Sequence, residues 1–344
     1  MPDVRNLAFA FIGSFLLALT LTRVARRYAI RRALLDVPNA RSSHLVPTPR
    51  GGGIAIAVTV IAAIVVLYLN STIRGDFAAI VVVGGSAVAL VGWIDDHRSL
   101  SIGIRAGVQF LSATLAVVIL WMSRGHELFG SDPMLTMGAA AITVFGIVWG
   151  INFFNFLDGT DGYAGCEAVF TALVFSLVFM RAKDGGVSMF CLCIAGASAG
   201  FLVWNWAPAK IFMGDVGSCF LGYVFGLVAL HGYIRGAAPA WFWVTILGVF
   251  FWDATLTLIR RMLAGEPWLS AHRTHAYQRL HQLGWSHARI ALGAILVNVI
   301  VILPMAWAGL VWDTSMPFFA VGGLLLSGWL AVNLRYRALA NSRN

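Results

Sequence analysis

The chain has 344 residues, 59% of them hydrophobic and 11% charged, with a mean hydropathy of +0.82. These values exclude an ordinary soluble globular domain and point to a protein whose solvent is lipid. A net charge of +9 would suggest nucleic acid in a soluble protein, but here Lys and Arg gather on alternate connections between apolar runs, so no nucleic-acid partner is implied.

A hydrocarbon core of roughly 30 Å needs about 20 apolar residues per helix, and runs of that kind recur along the whole chain. They predict an all-α, polytopic transmembrane helix bundle of about 11 spans. The centres lie near Ser14, Ile61, Ala87, Ala113, Phe145, Leu173, Ala195, Phe225, Gly248, Val299 and Leu325. The fourth span begins beside Arg105 and the fifth runs into the polar stretch Asn152–Asp161, so ten is the alternative count. Residues 1–344 read as a single integral membrane domain. The first run, Leu7–Thr22, is followed by Arg23, Arg26, Arg27, Arg31 and Arg32 rather than a cleavage site, so a retained anchor is expected. An N-out/C-in orientation puts 18 of the 24 Lys and Arg on the cytoplasmic side.

On this topology the polar segments share one face, in loops of about 23–52, 94–104, 152–162, 205–218 and 260–289. The first loop carries Arg41-Ser-Ser-His44 and Pro47-Thr-Pro-Arg50-Gly-Gly-Gly53. Arg is a bidentate partner for phosphate oxygens and His can donate to them; topology signalling and a flexible glycine hinge are the plainer readings. The next loop follows the pair Asp95–Asp96. A helix boundary accounts for one aspartate there, but adjacent like charges at a membrane border call for a cation.

Asn155-Phe-Leu-Asp158-Gly-Thr-Asp161-Gly162 places two carboxylates three residues apart, which on a helix puts them on one face, and oxygen-rich groups of this kind suit Mg2+. In Lys210-Ile-Phe-Met-Gly214-Asp215-Val-Gly217-Ser218, a helix start flanked by glycines would offer backbone N–H groups to a phosphate, with Asp215 as a metal ligand beside it. A plain N-cap is the alternative. The last loop carries His272-Arg273-Thr-His275-Ala-Tyr277-Gln278. Upstream of it, Asp253 lies in an apolar run, seven residues before Arg260 and on the same helical face; a packing role and a functional one are equally open. Cys166, Cys191, Cys193 and Cys219 lack paired metal-ligand spacing and read as packing residues. Trp204, Trp206, Trp241 and Trp243 read as interfacial anchors.

In this order, the motifs resemble the polyprenyl-phosphate N-acetylaminosugar-1-phosphate transferases, the MraY/WecA-like group of glycosyltransferase family 4. The resemblance covers about Asp36 to Gln282. It rests on Asp36-Val-Pro-Asn39 with Arg41, Pro47-Thr-Pro-Arg-Gly-Gly-Gly53, Gly92-Trp-Ile-Asp95-Asp96, Asn152-Phe-Phe-Asn155-Phe-Leu-Asp158-Gly-Thr-Asp161-Gly and Phe212-Met-Gly-Asp215-Val-Gly-Ser218. It implies Asp95, Asp96 and Asp215 as catalytic residues and Asp215, Asp158 and Asp161 as ligands of Mg2+, with Mn2+ as a substitute. Arg41, His44, Arg50, Asn155, Lys210, His272, Arg273 and His275 would bind substrate. The implied reaction moves an N-acetylaminosugar-1-phosphate from a UDP-sugar to undecaprenyl phosphate, releasing UMP, at the cytoplasmic side of a bacterial inner membrane. Many relatives carry His-x-His-His where this chain reads His275-Ala-Tyr277-Gln278. That departure is similar to the WbpL-type branch that initiates O-antigen, with UDP-GlcNAc, UDP-FucNAc or a similar donor. Membrane lipid is an expected partner, and a homodimer stays open.

The competing reading is a secondary transporter, because carboxylates in a many-span bundle also mark ion pathways. Against it, the acids fall at span ends on one side, and the sequence shows no inverted internal repeat.

Overall fold

The structure, a computed structural model, describes residues 3–38, 46–125, 132–267, 270 and 272–342. Thirteen helices carry the described fold: α1 (Val4–Arg31), α2 (Ile54–Leu69), α3 (Gly75–His97), α4 (Ile102–Leu120), α5 (Pro133–Phe156), α6 (Tyr163–Arg181) and α7 (Gly185–Asn205). These are followed by α8 (Asp215–Ile234), α9 (Ala240–Ile246), α10 (Gly248–Leu263), α11 (Ala276–Gln282), α12 (His287–Val311) and α13 (Met316–Asn341). The polar residues between the apolar runs start the helices. Asp132 accepts from the Met134 N–H (2.8 Å) at the head of α5, and Asp184 from the Val187 N–H (3.2 Å) at the head of α7, satisfying donors that a helix start leaves unpaired.

Among the described residues nine helices are long and apolar enough to cross a bilayer, and ten if α9 and α10 together form one span. The eleventh expected position falls on α2, whose 16 residues reach only about 24 Å at 1.5 Å per residue, short of the hydrocarbon core. All eleven predicted centres lie within helices, but the ninth, Gly248, is the first residue of α10: the run around it was expected to be continuous, and it breaks between Ile246 and Gly248 with an 87° bend. Apolar composition records solubility in lipid and carries no information about direction, so the bend is invisible to it.

Helices α6, α7 and α8 form the interior, with α7 packed on α1, α2 and α6, and α8 packed on α3 and α5. Helices α1, α4, α5, α12 and α13 form the periphery and leave Phe9, Leu111, Ile142 and Phe319 exposed, as faces turned to lipid would. The four cysteines are buried and free, which agrees with packing. Trp243 is a correction. It is 3% exposed, its indole N–H donates to the Ala238 carbonyl (3.1 Å), and it packs edge-on against Phe175, so it is a core residue and not an interfacial anchor.

Candidate active site

Residues 49–53 reach the interior through backbone pairing. Strands β1 (Leu35–Asp36) and β2 (Thr48–Pro49) pair antiparallel. The chain then runs beside the segment ahead of α8: the Phe212 N–H donates to the Pro49 carbonyl, and the Gly52 and Gly53 N–H groups donate to the Phe212 and Met213 carbonyls, each at 2.8 Å. Gly53 meets Gly217 backbone to backbone, where a Cβ on either would collide. The triple glycine is therefore a packed crossing of α2 and α8 and not a hinge.

This crossing delivers Arg50 to the carboxylates. Its Nε lies 2.8 Å from Asp96 Oδ1 and its Nη2 lies 2.8 Å from Asp215 Oδ1, so one guanidinium bridges the C-terminal end of α3 and the N-terminal end of α8. Burial alone would lower Arg50, but the Asp96 and Asp215 charges outweigh it and hold the group protonated. Arg105 makes a second bridge, 3.0 Å from Asp95 Oδ2 and 3.7 Å from Asp215 Oδ2. The Leu100 N–H also donates to Asp95 Oδ1 (2.6 Å). Sequence reasoning treated Arg105 only as a charge at the mouth of the fourth span. The available signal was its position one helix start after an uncompensated acid pair.

The backbone N–H groups expected to await a phosphate at the head of α8 are already engaged. Those of Asp215 and Val216 donate to Asp96 Oδ1 (2.9 Å) and Oδ2 (3.2 Å), so Asp96 caps α8 from another helix. Asp215 is the first residue of α8 and not its N-cap, a position taken by Gly214. Asn155 donates to Ser218 Oγ (3.0 Å) and reaches the Asp215 carboxylate, which brings the end of α5 into the group.

Asp158 and Asp161 do not share a helical face. Helix α5 ends at Phe156, and both residues lie in the turn before Gly162, whose φ of +74° starts α6. Asp158 joins the cluster, accepting from the Gly214 N–H. Burial first, and then the Asp215 charge, push its carboxyl well above the ordinary carboxylate range. Asp161 lies apart: its Oδ2 accepts from the Ala209 N–H (3.0 Å), and its Oδ1 is 3.2 Å from His287 Nδ1. It ties the α5–α6 turn to the chain after α7 and to α12.

Four carboxylates thus face two guanidiniums, leaving two negative charges uncompensated when all are ionised. Among the described residues no three His, Cys, Asp or Glu side chains converge into a ready-made cage. A hard divalent ion that takes one or two carboxylates and completes its shell with water and phosphate oxygens fits such a donor set.

The loop after α10 forms a second wall. Asp253 caps α11: its Oδ1 accepts from the Ala276 N–H (2.7 Å) and its Oδ2 from the Tyr277 N–H (3.2 Å), with His275 Nδ1 3.7 Å away. The Tyr277 hydroxyl donates to the Phe156 carbonyl (3.0 Å), which fixes α11 against the end of α5. The buried Asp253 therefore positions the loop. Asp253→Ala should cost about 1 kcal/mol, as the loss of a helix cap does, and should raise the proteolytic sensitivity of residues 270–282 before the bundle unfolds.

His272 Nδ1 lies 3.1 Å from Thr274 Oγ1, and its ring is tilted against that of His275 with centroids 4.9 Å apart. Burial, and then the neighbouring His275, Arg261 and Arg260, push its imidazole down to about 4. The folded protein thus keeps His272 neutral where an unfolded chain would protonate it near 6.5. Its contribution to stability is complete above that value and is lost as pH falls toward 4. The unfolding temperature should accordingly drop less between pH 7 and 5 in His272→Gln than in the wild type. Arg273 is exposed, and its carbonyl accepts from Gln282 (3.1 Å). Lys210 lies with its ammonium 5.7 Å over the Trp204 ring. Arg41 and His44 lie outside the described residues.

Residues 78–233, the stretch from α3 to α8 that carries all four clustered aspartates, match the family described as Glycosyl transferase family 4. The chain is 33% identical over 311 residues to the probable undecaprenyl-phosphate N-acetylglucosaminyl 1-phosphate transferase of Bacillus subtilis (strain 168), covering 86% of this chain and 83% of that one. It is 31% identical to the decaprenyl-phosphate N-acetylglucosaminephosphotransferase of Mycolicibacterium smegmatis, covering 84% of this chain and 79% of that one. It is also 26% identical to the phospho-N-acetylmuramoyl-pentapeptide-transferase of Bacillus mycoides, covering 71% and 78% respectively.

Proposed function

The chain belongs to glycosyl transferase family 4, and from that premise we propose that it transfers an N-acetylhexosamine-1-phosphate from a UDP-sugar to a polyprenyl phosphate, releasing UMP. The observation that carries this reading is the Arg50 bridge between Asp96 and Asp215, which draws three distant segments into one cluster of acids and guanidiniums. Phosphoryl transfer asks a protein mainly for positioning and charge compensation, and this cluster is built for both.

In the reaction, an oxygen of the lipid phosphate attacks the β-phosphorus of the donor. The bond from that phosphorus to the bridging oxygen breaks, and UMP leaves with the electron pair. A phosphomonoester has a second pKa near 6 and is mostly dianionic at pH 7. Asp95 therefore orients the lipid phosphate and takes any residual proton, and direct attack needs no covalent intermediate. Asp96 holds the head of α8 in place. Asp215 and Asp158 would hold Mg2+, with Mn2+ as a substitute; when bound, the ion supplies charge neutralisation at the diphosphate. Arg50 and Arg105, each about a third exposed at the side chain, would exchange a carboxylate for a phosphate oxygen as substrate enters. Asn155 would help to orient the Asp215 carboxylate, and His272, Arg273 and His275 would face the sugar.

The basic excess on one side supports placing the cluster at the cytoplasmic face of a bacterial inner membrane, with the N-terminus outside. The two relatives named for N-acetylglucosamine make UDP-GlcNAc the first donor to test, with UDP-FucNAc next. The product would start O-antigen or another surface polysaccharide, as in the WbpL-type branch. Purified protein given undecaprenyl phosphate, Mg2+ and a panel of UDP-N-acetyl sugars should release UMP only when lipid and metal are both present. Folded protein that releases none with any donor would overturn the assignment in favour of a transporter.

A further inference from the structure

A second charged group lies away from the four aspartates, where α10, α11 and α13 end. The Arg279 guanidinium sits 5.1 Å over the Tyr336 ring, and the residue is 4% exposed. Among the described residues its Nε and Nη1 are buried without a hydrogen-bond partner, as are Nε and Nη2 of Arg260. Glu266 lies 3.5 Å from Arg260 and 2.8 Å from Arg261, and it is the carboxylate paired with the group among the described residues. Arg337, on α13, adds a further positive charge felt by both Arg260 and Arg279. Four guanidiniums thus face one carboxylate. Burial, and then Arg260 and Arg337, push Arg279 down to about 10. A buried guanidinium with unpaired donors and like charges around it is costly unless an anion joins it.

Next to this group, reached through Leu280, the residue after Arg279, lies a cavity of about 560 Å³ walled by Trp252, Ala294, Leu325 and Trp329; Arg335 also lines it, as does Asp253, whose carboxylate is engaged by the head of α11. The cavity lies between helices of the apolar periphery. We propose that this is a binding site for an anionic phospholipid, with one acyl chain in the cavity and the headgroup phosphate on Arg260, Arg279 and Arg337. The apolar wall selects a lipid over a free anion. The excess of positive charge selects a headgroup without its own cation, so phosphatidylglycerol fits and phosphatidylcholine does not. The site lies apart from the lipid phosphate expected at Asp95 and does not depend on the transferase reading.

Protein extracted from vesicles of equal phosphatidylglycerol and phosphatidylcholine, and examined by native mass spectrometry, tests this. The wild type should retain phosphatidylglycerol at least tenfold over phosphatidylcholine. Arg337→Gln, at an exposed position, should fold normally and lose most of that preference, and Arg279→Gln should lose it entirely. Ala294→Trp, which fills the cavity and leaves every arginine in place, should lose retention as well. Equal retention of the two lipids, or an unchanged preference in both arginine variants, would overturn the proposal. Displacement by millimolar inorganic phosphate would assign the site to a free anion. Displacement by undecaprenyl phosphate at equal concentration would assign the cavity to the substrate's own tail. Either displacement overturns it.

Discussion

Asp215→Asn should lower UMP release by about 10³-fold, the scale of losing one preorganised charged contact to a transition state, while the protein inserts and purifies like the wild type. The change removes one charge and almost no volume. Arg50 keeps its 2.8 Å contact to Asp96, and the head of α8 keeps both N–H donations to the Asp96 carboxylate. The fold is therefore expected to survive and the chemistry to fail. Asp161→Asn is the contrast. Its carboxylate serves Ala209 and His287 instead of the Arg50 cluster, so it should lower the unfolding temperature with a smaller effect on turnover per folded molecule. Steady-state UMP release alongside thermal unfolding in detergent separates the two. Release by Asp215→Asn within tenfold of the wild type would remove Asp215 from the chemistry.

Gly214→Ala should abolish most activity, because it combines backbone strain with a collision inside the carboxylate cluster. Gly214 has φ +74° and ψ 172°, a region that only glycine occupies readily, so the strain alone is about 1–3 kcal/mol. The new methyl would also run into the carboxylate of Asp96, which is held by Arg50 and by two backbone N–H groups and has no room to retreat. Gly236→Ala isolates the two effects. It carries a similar φ of +67° with nothing within 4 Å of the added methyl, and so suffers strain without collision. Gly214→Ala should lose activity at temperatures where it is still folded, and Gly236→Ala should lose only stability. Equal activity losses in the two variants would mean that the Asp96 contact at Gly214 has no part in the site.

Much of this arrangement was legible in the sequence because hydropathy and charge are local properties. The runs centred on Leu173, Ala195 and Phe225 became the interior helices, and Arg50, Asp95, Asp96, Asn155, Asp158 and Asp215 come together, whereas Asp161 and Lys210 stand apart. What stayed hidden depends on partners far along the chain or on direction. The near right angle at Gly248 interrupts an unbroken apolar run. The helical face expected for Asp158 and Asp161 assumed a helix that in fact stops at Phe156, before either residue. The caps that Asp96 and Asp253 provide require donors 119 and 23 residues away, and no motif records such a pairing. Asp253 looked like a lone acid in lipid because its partners lie beyond the end of its own helix.

The long separation between Asp96 and the head of α8 also bears on how the protein is made. At about 5–20 residues per second, the ribosome needs on the order of ten seconds to synthesise the 119 residues between that carboxylate and the N–H group it will accept from. Throughout that interval Asp95 and Asp96 stand at the end of an inserted helix without α8. Arg50 has already emerged, and Arg105 follows within ten residues of Asp95. The two arginines are thus available as provisional counter-ions, neutralising the acids until α8 arrives. A nascent chain lacking both would be the one most exposed to rejection by the insertion machinery.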